Sequence, residues 1–301
     1  MKAPPALPDL HRHLDGSLRP ATVLDLARAL RLAVPPDLTF HAGMGLQAAL
    51  ARFGFTLSLL QDEAAVRRVA AEIVEDAIVE DVTTLEVRFA PQFHRGASMD
   101  RIVDAALDGL GGRAGLILCG LYGDPPELLE ALVDLAIPRR GVVGLDLAGG
   151  PIPTHEYGLS SYAAAFTRAR AHGIGITVHA GEGRPPAEIG VAIEVLGAQR
   201  IGHGTSLLDD PRVLDLVLER GVTIEACPTS NVHTDVIPTV RDHPLPRWLE
   251  LGVRACVNTD NTLFSGVAAP EELRRVSGIP GMTPARCAQV VANGHAARFT
   301  R

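Results

Sequence analysis

Residues 200–228, RIGHGTSLLDDPRVLDLVLERGVTIEACP, contain one complete strand–helix–strand unit. Two short apolar runs, 200–203 and 223–228, predict buried strands. Between them, Asp210 followed by Pro211 is typical of a helix N-terminus, and Gly221 is typical of a helix C-terminus. This order of elements predicts a parallel β–α–β connection.

The same alternation continues in both directions along the chain. Strands are predicted near residues 8–14, 83–90, 115–121, 141–147, 175–180, 200–203, 223–228 and 254–259. Between strands, apolar residues keep the spacing of a buried helical stripe, as in Val23, Leu26, Ala27 and Leu30 and in Val66, Ala70, Ile73 and Ala77. Eight evenly spaced units favour an α/β fold of the (β/α)₈ (TIM) barrel type over a doubly wound open sheet. Residues 1–301 are predicted to form one domain.

One long insertion interrupts the pattern between the first helix and the second strand. It carries a group of large apolar residues, namely Phe40, Phe53, Phe55, Leu57, Leu59 and Leu60. Core packing is the simpler explanation for any one of them. As a group they predict an apolar lid over the barrel mouth.

The composition excludes several classes of protein. A net charge of −7 and an aromatic content of 4% argue against a nucleic-acid partner. Lys2 is the only lysine, so no internal lysine is available for a Schiff base, a P-loop or a carbamate that bridges two metal ions. No apolar run is long enough for a membrane span or a signal core, and the four cysteines form no C-x-x-C pair. We expect a cytoplasmic protein without a membrane partner; no particular oligomeric state is predicted.

Polar residues gather at the C-terminal ends of four predicted strands, where barrel enzymes place their active sites. These ends read LHRHLDG (10–16), TVHAGE (177–182), RIGHG (200–204) and VNTDN (257–261). They bring six candidate residues to one end of the barrel: His11, His13, His179, Glu182, His203 and Asp260. Three histidines with Asp260 make a metal site with room for water. Zinc is the first candidate, and iron(II) or cobalt would tolerate the same ligands.

Seven segments between residues 7 and 261 occur in the order of a known family: LHRHLDGSLRP, EVRFAP, VVGLDLAGG, TVHAGE, RIGHGT, CPTSN and VNTDN. Together they resemble the adenosine deaminase branch of the amidohydrolase superfamily. The resemblance implies one catalytic zinc ion per chain, held by His11, His13, His179 and Asp260. It also implies that Glu182 passes a proton to purine N1 and that His203 orients and polarises the attacking hydroxide.

The resemblance further implies a set of substrate contacts. Gly149 would offer its amide to purine N3, and Asp15 would hydrogen-bond the ribose 5′-hydroxyl. Asn261 would contact N7, and His13 would also face the substrate.

The chain departs from the family pattern at three places. Asp260-Asn261-Thr262 stands where the family has Asp-Asp-Pro, and Gly149-Gly150-Pro151 stands where it has Gly-Asp-Glu. The third strand ends at residues 119–123 without the arginine that the family often has nearby. Asn261 can still hydrogen-bond N7, and as a donor it needs no unusual protonation state.

The activity implied is that of an aminohydrolase, which deaminates adenosine and 2′-deoxyadenosine, as small-molecule purine nucleoside substrates, to inosine and ammonia. Asp15 favours a nucleoside. One alternative is a deaminase of another 6-aminopurine compound: adenine, an N6-substituted purine or aminodeoxyfutalosine. A second alternative is a barrel that has lost catalysis, but the complete set of candidate ligands and Glu182 argues against it.

Overall fold

Eight parallel strands form the centre of the molecule in the computed structural model, which describes residues 6–301. Lys2 lies outside the described residues. The strands follow one another in chain order around the sheet: β1 Leu7–His13, β2 Val82–Phe89, β3 Gly115–Leu121, β4 Val142–Ala148, β5 Gly175–Ala180, β6 Arg200–His203, β7 Thr223–Ala226 and β8 Arg254–Val257. The (β/α)₈ barrel predicted from the sequence is confirmed.

The barrel closes between its first strand and the segment after its last strand. Arg12 and Asp260 form a parallel bridge. The His13 amide donates to the Asp260 carbonyl, and the Asp260 amide donates to the His11 carbonyl, each over 2.8 Å. Closure therefore places Asp260 directly beside the two histidines of β1.

Thirteen α-helices lie among the described residues. They are α1 Pro20–Leu30, α2 Leu46–Leu59, α3 Glu63–Val79, α4 Met99–Leu110, α5 Pro126–Ala136, α6 Ala163–Ala171, α7 Ala187–Glu194, α8 Pro211–Arg220, α9 Pro228–His233, α10 Leu245–Glu250, α11 Thr262–Ser265, α12 Ala269–Ser277 and α13 Pro284–Ala297. Single 3₁₀ turns occupy Pro91–Phe93, Leu159–Tyr162, Leu207–Asp209 and Val240–Asp242. No helix in residues 6–301 has both the length and the apolar character needed to cross a membrane.

Local sequence signals explain where most elements begin and end. The Asp210 side chain accepts from the Arg212 amide at 2.9 Å, Pro211 is the first residue of α8, and Gly221 ends the helix at φ 62°. The stripe of α3 is fully buried, as predicted. In α1 the expected stripe is shorter, because Leu30 is 49% exposed while Val23 and Ala27 are buried. The seventh strand is shorter than predicted, because Pro228 begins α9.

The insertion after α1 lies over the barrel mouth, as predicted. Phe40 stacks on Phe264 of α11 with ring centroids 4.8 Å apart, and Phe53 of α2 meets the same ring edge-on at 4.8 Å. The Phe53 ring lies 6.2 Å from the ring of His13. Phe40, Phe53 and Leu57 line the barrel mouth, whereas Leu59 and Leu60 are almost fully buried and do not, so only part of the apolar group forms the lid.

Candidate active site

Four side chains from three strand ends converge at the centre of the barrel mouth. His13 Nε2 lies 3.3 Å from His179 Nε2 and 3.4 Å from Asp260 Oδ1. His11 Nε2 lies 3.6 Å from the same Asp260 oxygen. Alternate residues of β1 thus face the same interior, since a strand has a period of two.

These separations suit a single tetrahedral metal ion. Zinc binds histidine nitrogen and carboxylate oxygen at about 2.0–2.2 Å, which sets neighbouring tetrahedral ligands roughly 3.3–3.6 Å apart. His11 Nε2 is buried and has no hydrogen-bond partner in the described part of the chain. A buried, unpartnered imidazole nitrogen aimed at two other donors fits a metal ligand.

The protonation state of the histidines also fits metal binding. Burial lowers the pKa of His11 and of His13 well below the ordinary value, and neighbouring cationic groups lower it further. Both rings are therefore neutral at pH 7. A neutral imidazole is the form that ligates a metal ion.

A buried charged layer lies directly below these ligands. Glu225 of β7 accepts from His11 Nδ1 at 2.7 Å, and Asp146 of β4 lies 3.1 Å from His179 Nδ1. Arg88 of β2 donates to both carboxylates, at 2.8 Å to Glu225 and 2.9 Å to Asp146. The two carboxylates fix the ring orientation of His11 and His179, so each ring presents Nε2 to the site.

A carboxyl group and a further histidine lie at the edge of this cluster. Glu182 follows β5 and is buried, and its Oε1 accepts from Thr234 at 3.0 Å. Burial raises its pKa, against an opposing effect of the Arg184 cation. His203 Nδ1 lies 3.7 Å from that Glu182 oxygen and 3.0 Å from the Asn231 amide nitrogen. Burial lowers the pKa of His203 to about 3, so this ring is also neutral.

The backbone is strained at two of these positions. His203 has φ 66° and Asp260 has φ 63°, a left-handed conformation that few residues other than glycine adopt. Each such residue costs of order 1–3 kcal/mol and persists only where surrounding contacts hold it. Strain at two chemically reactive side chains in one mouth is typical of a functional site.

A cavity of about 420 Å³ opens beside the cluster and extends beneath the lid. Asp15 lines it, along with His13 and Gly149. Burial raises the pKa of Asp15 to about 7, and its Oδ1 has no partner within residues 6–301. Asn261 lines the smaller recess next to Glu182, and its Oδ1 is likewise buried and unpartnered among the described residues. The structure thus brings all nine sequence-predicted site residues to one mouth.

The charged layer is not among the residues predicted from the sequence. Arg88, Asp146 and Glu225 each stand in the middle of a buried apolar strand, as in the segment Thr223–Ala226. A charged residue in such a strand needs a partner, because isolated charges are rarely buried. That signal could have identified each residue, but not which residues pair with which.

The fold is a (β/α)₈ barrel, and three histidines and an aspartate converge at its strand ends. This combination is the one expected from the resemblance to the amidohydrolase class. The adenosine deaminase family model matches residues 6–301. Adenosine deaminase from Serratia proteamaculans is 36% identical, with 96% of this chain and 92% of the relative covered. The Clostridium kluyveri adenosine deaminase is also 36% identical, over 88% of this chain and 81% of the relative. The chain belongs to the adenosine deaminase family.

Solved structures agree with this assignment of fold. The adenine deaminase of Arthrobacter aurescens superimposes with a TM-score of 0.90 at 24% identity, covering 99% of this chain and 95% of that one. The N6-methyl-AMP deaminase of Arabidopsis thaliana gives a TM-score of 0.85 at 26% identity, with 98% and 93% covered. The fold described above is therefore shared by an adenine deaminase and an N6-methyl-AMP deaminase.

Proposed function

We propose that this chain is a zinc-dependent adenosine deaminase, which hydrolyses adenosine and 2′-deoxyadenosine to inosine and ammonia. One observation carries the proposal: His13 Nε2 lies 3.3 Å from His179 Nε2 and 3.4 Å from Asp260 Oδ1, His11 Nε2 lies 3.6 Å from the same oxygen, and a buried carboxyl group lies beside them. Membership of the adenosine deaminase family supports the choice of reaction. The cavity next to the donors, lined by Asp15, supports a nucleoside as the substrate.

The donor set supports one metal ion per chain. Its members would be His11, His13, His179 and Asp260. There, zinc would supply hydroxide at neutral pH by lowering the pKa of water toward ~7. Iron(II) or cobalt would accept the same ligands. Residues 6–301 contain no lysine that could be carbamylated to bridge a second ion.

Glu182 and His203 supply the proton chemistry. Purine C6 accepts a nucleophile readily only when N1 is protonated as negative charge arrives. Burial raises the pKa of Glu182 and so favours a carboxyl group that holds a proton for N1. Neutral His203, fixed by Asn231, orients and polarises the nucleophile. In the tetrahedral adduct the proton of the added hydroxyl then passes to the amino group, the C6–N bond breaks, ammonia leaves, and the C6 carbonyl of inosine forms.

The remaining residues hold the substrate. Asp15 would bind the ribose 5′-hydroxyl, since its carboxyl group lines the large cavity with one oxygen free of protein partners among the described residues. Asn261 would meet N7 from the smaller recess, and Gly149 would offer its amide to N3. His13 lies in both cavities and so would contact the substrate as well as the metal.

The barrel closes where β1 pairs with the segment that follows β8, and the C-terminal helix α13 packs on both β1 and β8. This supports a single catalytic domain over residues 1–301. All four cysteines are free, and three of them are buried. Free thiols are usual in a reducing compartment, which supports a cytoplasmic location.

A single assay tests the proposal. Zinc-loaded protein is offered adenosine, 2′-deoxyadenosine, adenine and aminodeoxyfutalosine, and the absorbance change on deamination is followed. We expect the highest kcat/KM with adenosine, and one zinc ion per active chain by elemental analysis. A higher kcat/KM with adenine or aminodeoxyfutalosine would refute the proposal that adenosine is the substrate. Two metal ions per active chain would refute the mononuclear site.

A further inference from the structure

We propose that Arg184 is a positioning residue that clamps the ends of β4 and β5, and so holds the Gly149 amide at the purine N3 position. The inference rests on the proposed function, because it assigns Gly149 to the purine ring. Arg184 itself lines neither of the cavities described above. It acts through the backbone of other residues.

The Arg184 guanidinium contacts two strand ends at once. One terminal nitrogen, Nη2, donates to the His179 carbonyl at 3.0 Å. The other, Nη1, donates to the Gly149 carbonyl at 3.4 Å. A planar guanidinium has donors in a fixed fork, so the two contacts fix the distance between the two strand ends.

The clamp is itself anchored. Arg184 Nε donates to Glu188 Oε2 at 2.7 Å, and both side chains are largely buried, at 11% and 15% exposure. The same Glu188 oxygen accepts from the Gly181 amide at 3.4 Å. The guanidinium also lies over the Tyr122 ring, 5.1 Å from its centroid. The Arg184–Glu188 pair therefore braces both sides of the turn that presents Glu182.

The local sequence accommodates this clamp. A Cβ atom placed on Gly150 would lie 2.7 Å from Arg184 Nη1. A side chain at position 150, where the family pattern has aspartate, would therefore displace the guanidinium. Gly150 and Arg184 are complementary, and the departure from Gly-Asp-Glu at residues 149–151 creates the space that Arg184 fills.

The carbonyl groups of His179 and Gly149 do not depend equally on Arg184 for a hydrogen-bond partner. The His179 carbonyl also accepts from the Tyr122 hydroxyl at 2.7 Å, so it keeps a partner when Arg184 is lost. Gly149 has φ 73°, and glycine loses more conformational freedom than any other residue when its backbone is held in one conformation. Loss of the guanidinium should therefore loosen Gly149 far more than the metal ligand His179.

The test uses two adenosine analogues and equilibrium binding to zinc-loaded protein. In 1-deazaadenosine N3 is present and N1 is absent, whereas in 3-deazaadenosine N1 is present and N3 is absent. Arg184→Met should weaken the binding of 1-deazaadenosine about three- to tenfold, the equivalent of one hydrogen bond. The affinity for 3-deazaadenosine and the zinc content should stay almost unchanged. Arg184→Lys should behave like Arg184→Met, because an ammonium lacks the fork.

Two matched variants keep the test decisive. Glu188→Gln leaves the guanidinium in place without its anchor, and should reproduce the selective loss to a smaller extent. Arg212→Met removes an exposed arginine from the unrelated Asp210 pair and should change neither Kd.

The clamp would be overturned if Arg184→Met weakened the binding of both analogues equally. It would also be overturned if Arg184→Lys kept the wild-type ratio of the two dissociation constants. If wild-type protein binds neither analogue and does not deaminate adenosine, the proposed function fails instead.

Discussion

The charged layer beneath the donor atoms allows the effect of Glu225→Gln on zinc affinity to be predicted quantitatively. Glu225 is fully buried and its carboxylate has four neighbours. Oε2 accepts from His11 at 2.7 Å and from Arg88 at 2.8 Å. Oε1 accepts from Thr177 at 3.0 Å, and Arg200 Nε lies 2.7 Å from it. Glutamine keeps the shape of this side chain but removes its charge.

We expect Glu225→Gln to lower zinc affinity about 10–100-fold, because residues that orient metal-binding histidines contribute that much. The variant should still fold. Its loss in free energy of unfolding should be below the ~3–5 kcal/mol that an unpaired buried charge costs, because Arg88 retains its ion pair with Asp146 and Arg200 retains its ion pair with Glu86. Zinc affinity is measured by competition with a chromophoric chelator, and stability by urea unfolding of metal-free protein.

The matched control is Glu86→Gln. Glu86 is equally buried and pairs with the same Arg200, but it does not contact a histidine among the described residues. Glu86→Gln should lower stability and leave zinc affinity within about threefold of wild type. Wild-type zinc affinity in Glu225→Gln, or an equal loss in both variants, would refute the role of Glu225 in orienting His11.

Three further variants test the remaining groups. Glu182→Gln should retain zinc and lower kcat about 10²–10⁴-fold, because an amide cannot protonate N1; near-native turnover would make Glu182 structural. Asp15→Ala should lower kcat/KM for adenosine roughly 10–100-fold and leave 5′-deoxyadenosine almost unchanged, whereas equal losses would remove the case for a 5′-hydroxyl contact. Burial raises the pKa of Glu272 from 4.5 to about 7, so its ionisation destabilises the fold as pH rises between those values. Glu272→Gln should therefore gain Tm relative to wild type between pH 5 and pH 8, and a pH-independent difference would contradict this.

The sequence predicts the barrel and the convergence of the candidate metal ligands for the same physical reason. Strands buried on both faces read as short apolar runs, and their carboxyl ends meet at one mouth. His11 and His13 therefore converge through strand alternation alone, and TVHAGE and VNTDN add candidate ligands from β5 and from the segment after β8. These inferences need only local periodicity and the rule that connects parallel strands.

The charged layer and the Arg184 clamp depend on register and could not be predicted. Arg88 meets Glu225 across 137 residues, and the contact exists only because the strands close into a barrel with one particular stagger. Arg184 meets Gly149 across 35 residues, through a loop whose path no periodicity describes. Sequence patterns identify residues that need partners, but barrel geometry selects the partners.

Hydrogen bonds of the barrel backbone explain how the left-handed conformations of His203 and Asp260 are maintained. His203 is the last residue of β6 and Asp260 follows β8, and both side chains lie at the barrel mouth. The Asp260 amide and carbonyl are held at 2.8 Å by the backbone of β1, so the left-handed conformation is fixed by closure itself. At His203 the following Gly204 amide donates to both the Ala180 and Gly202 carbonyls, at 3.1 and 3.0 Å. The stability of the sheet thus compensates a local cost of about 1–3 kcal/mol per residue. The same hydrogen bonds that complete the barrel position its reactive side chains.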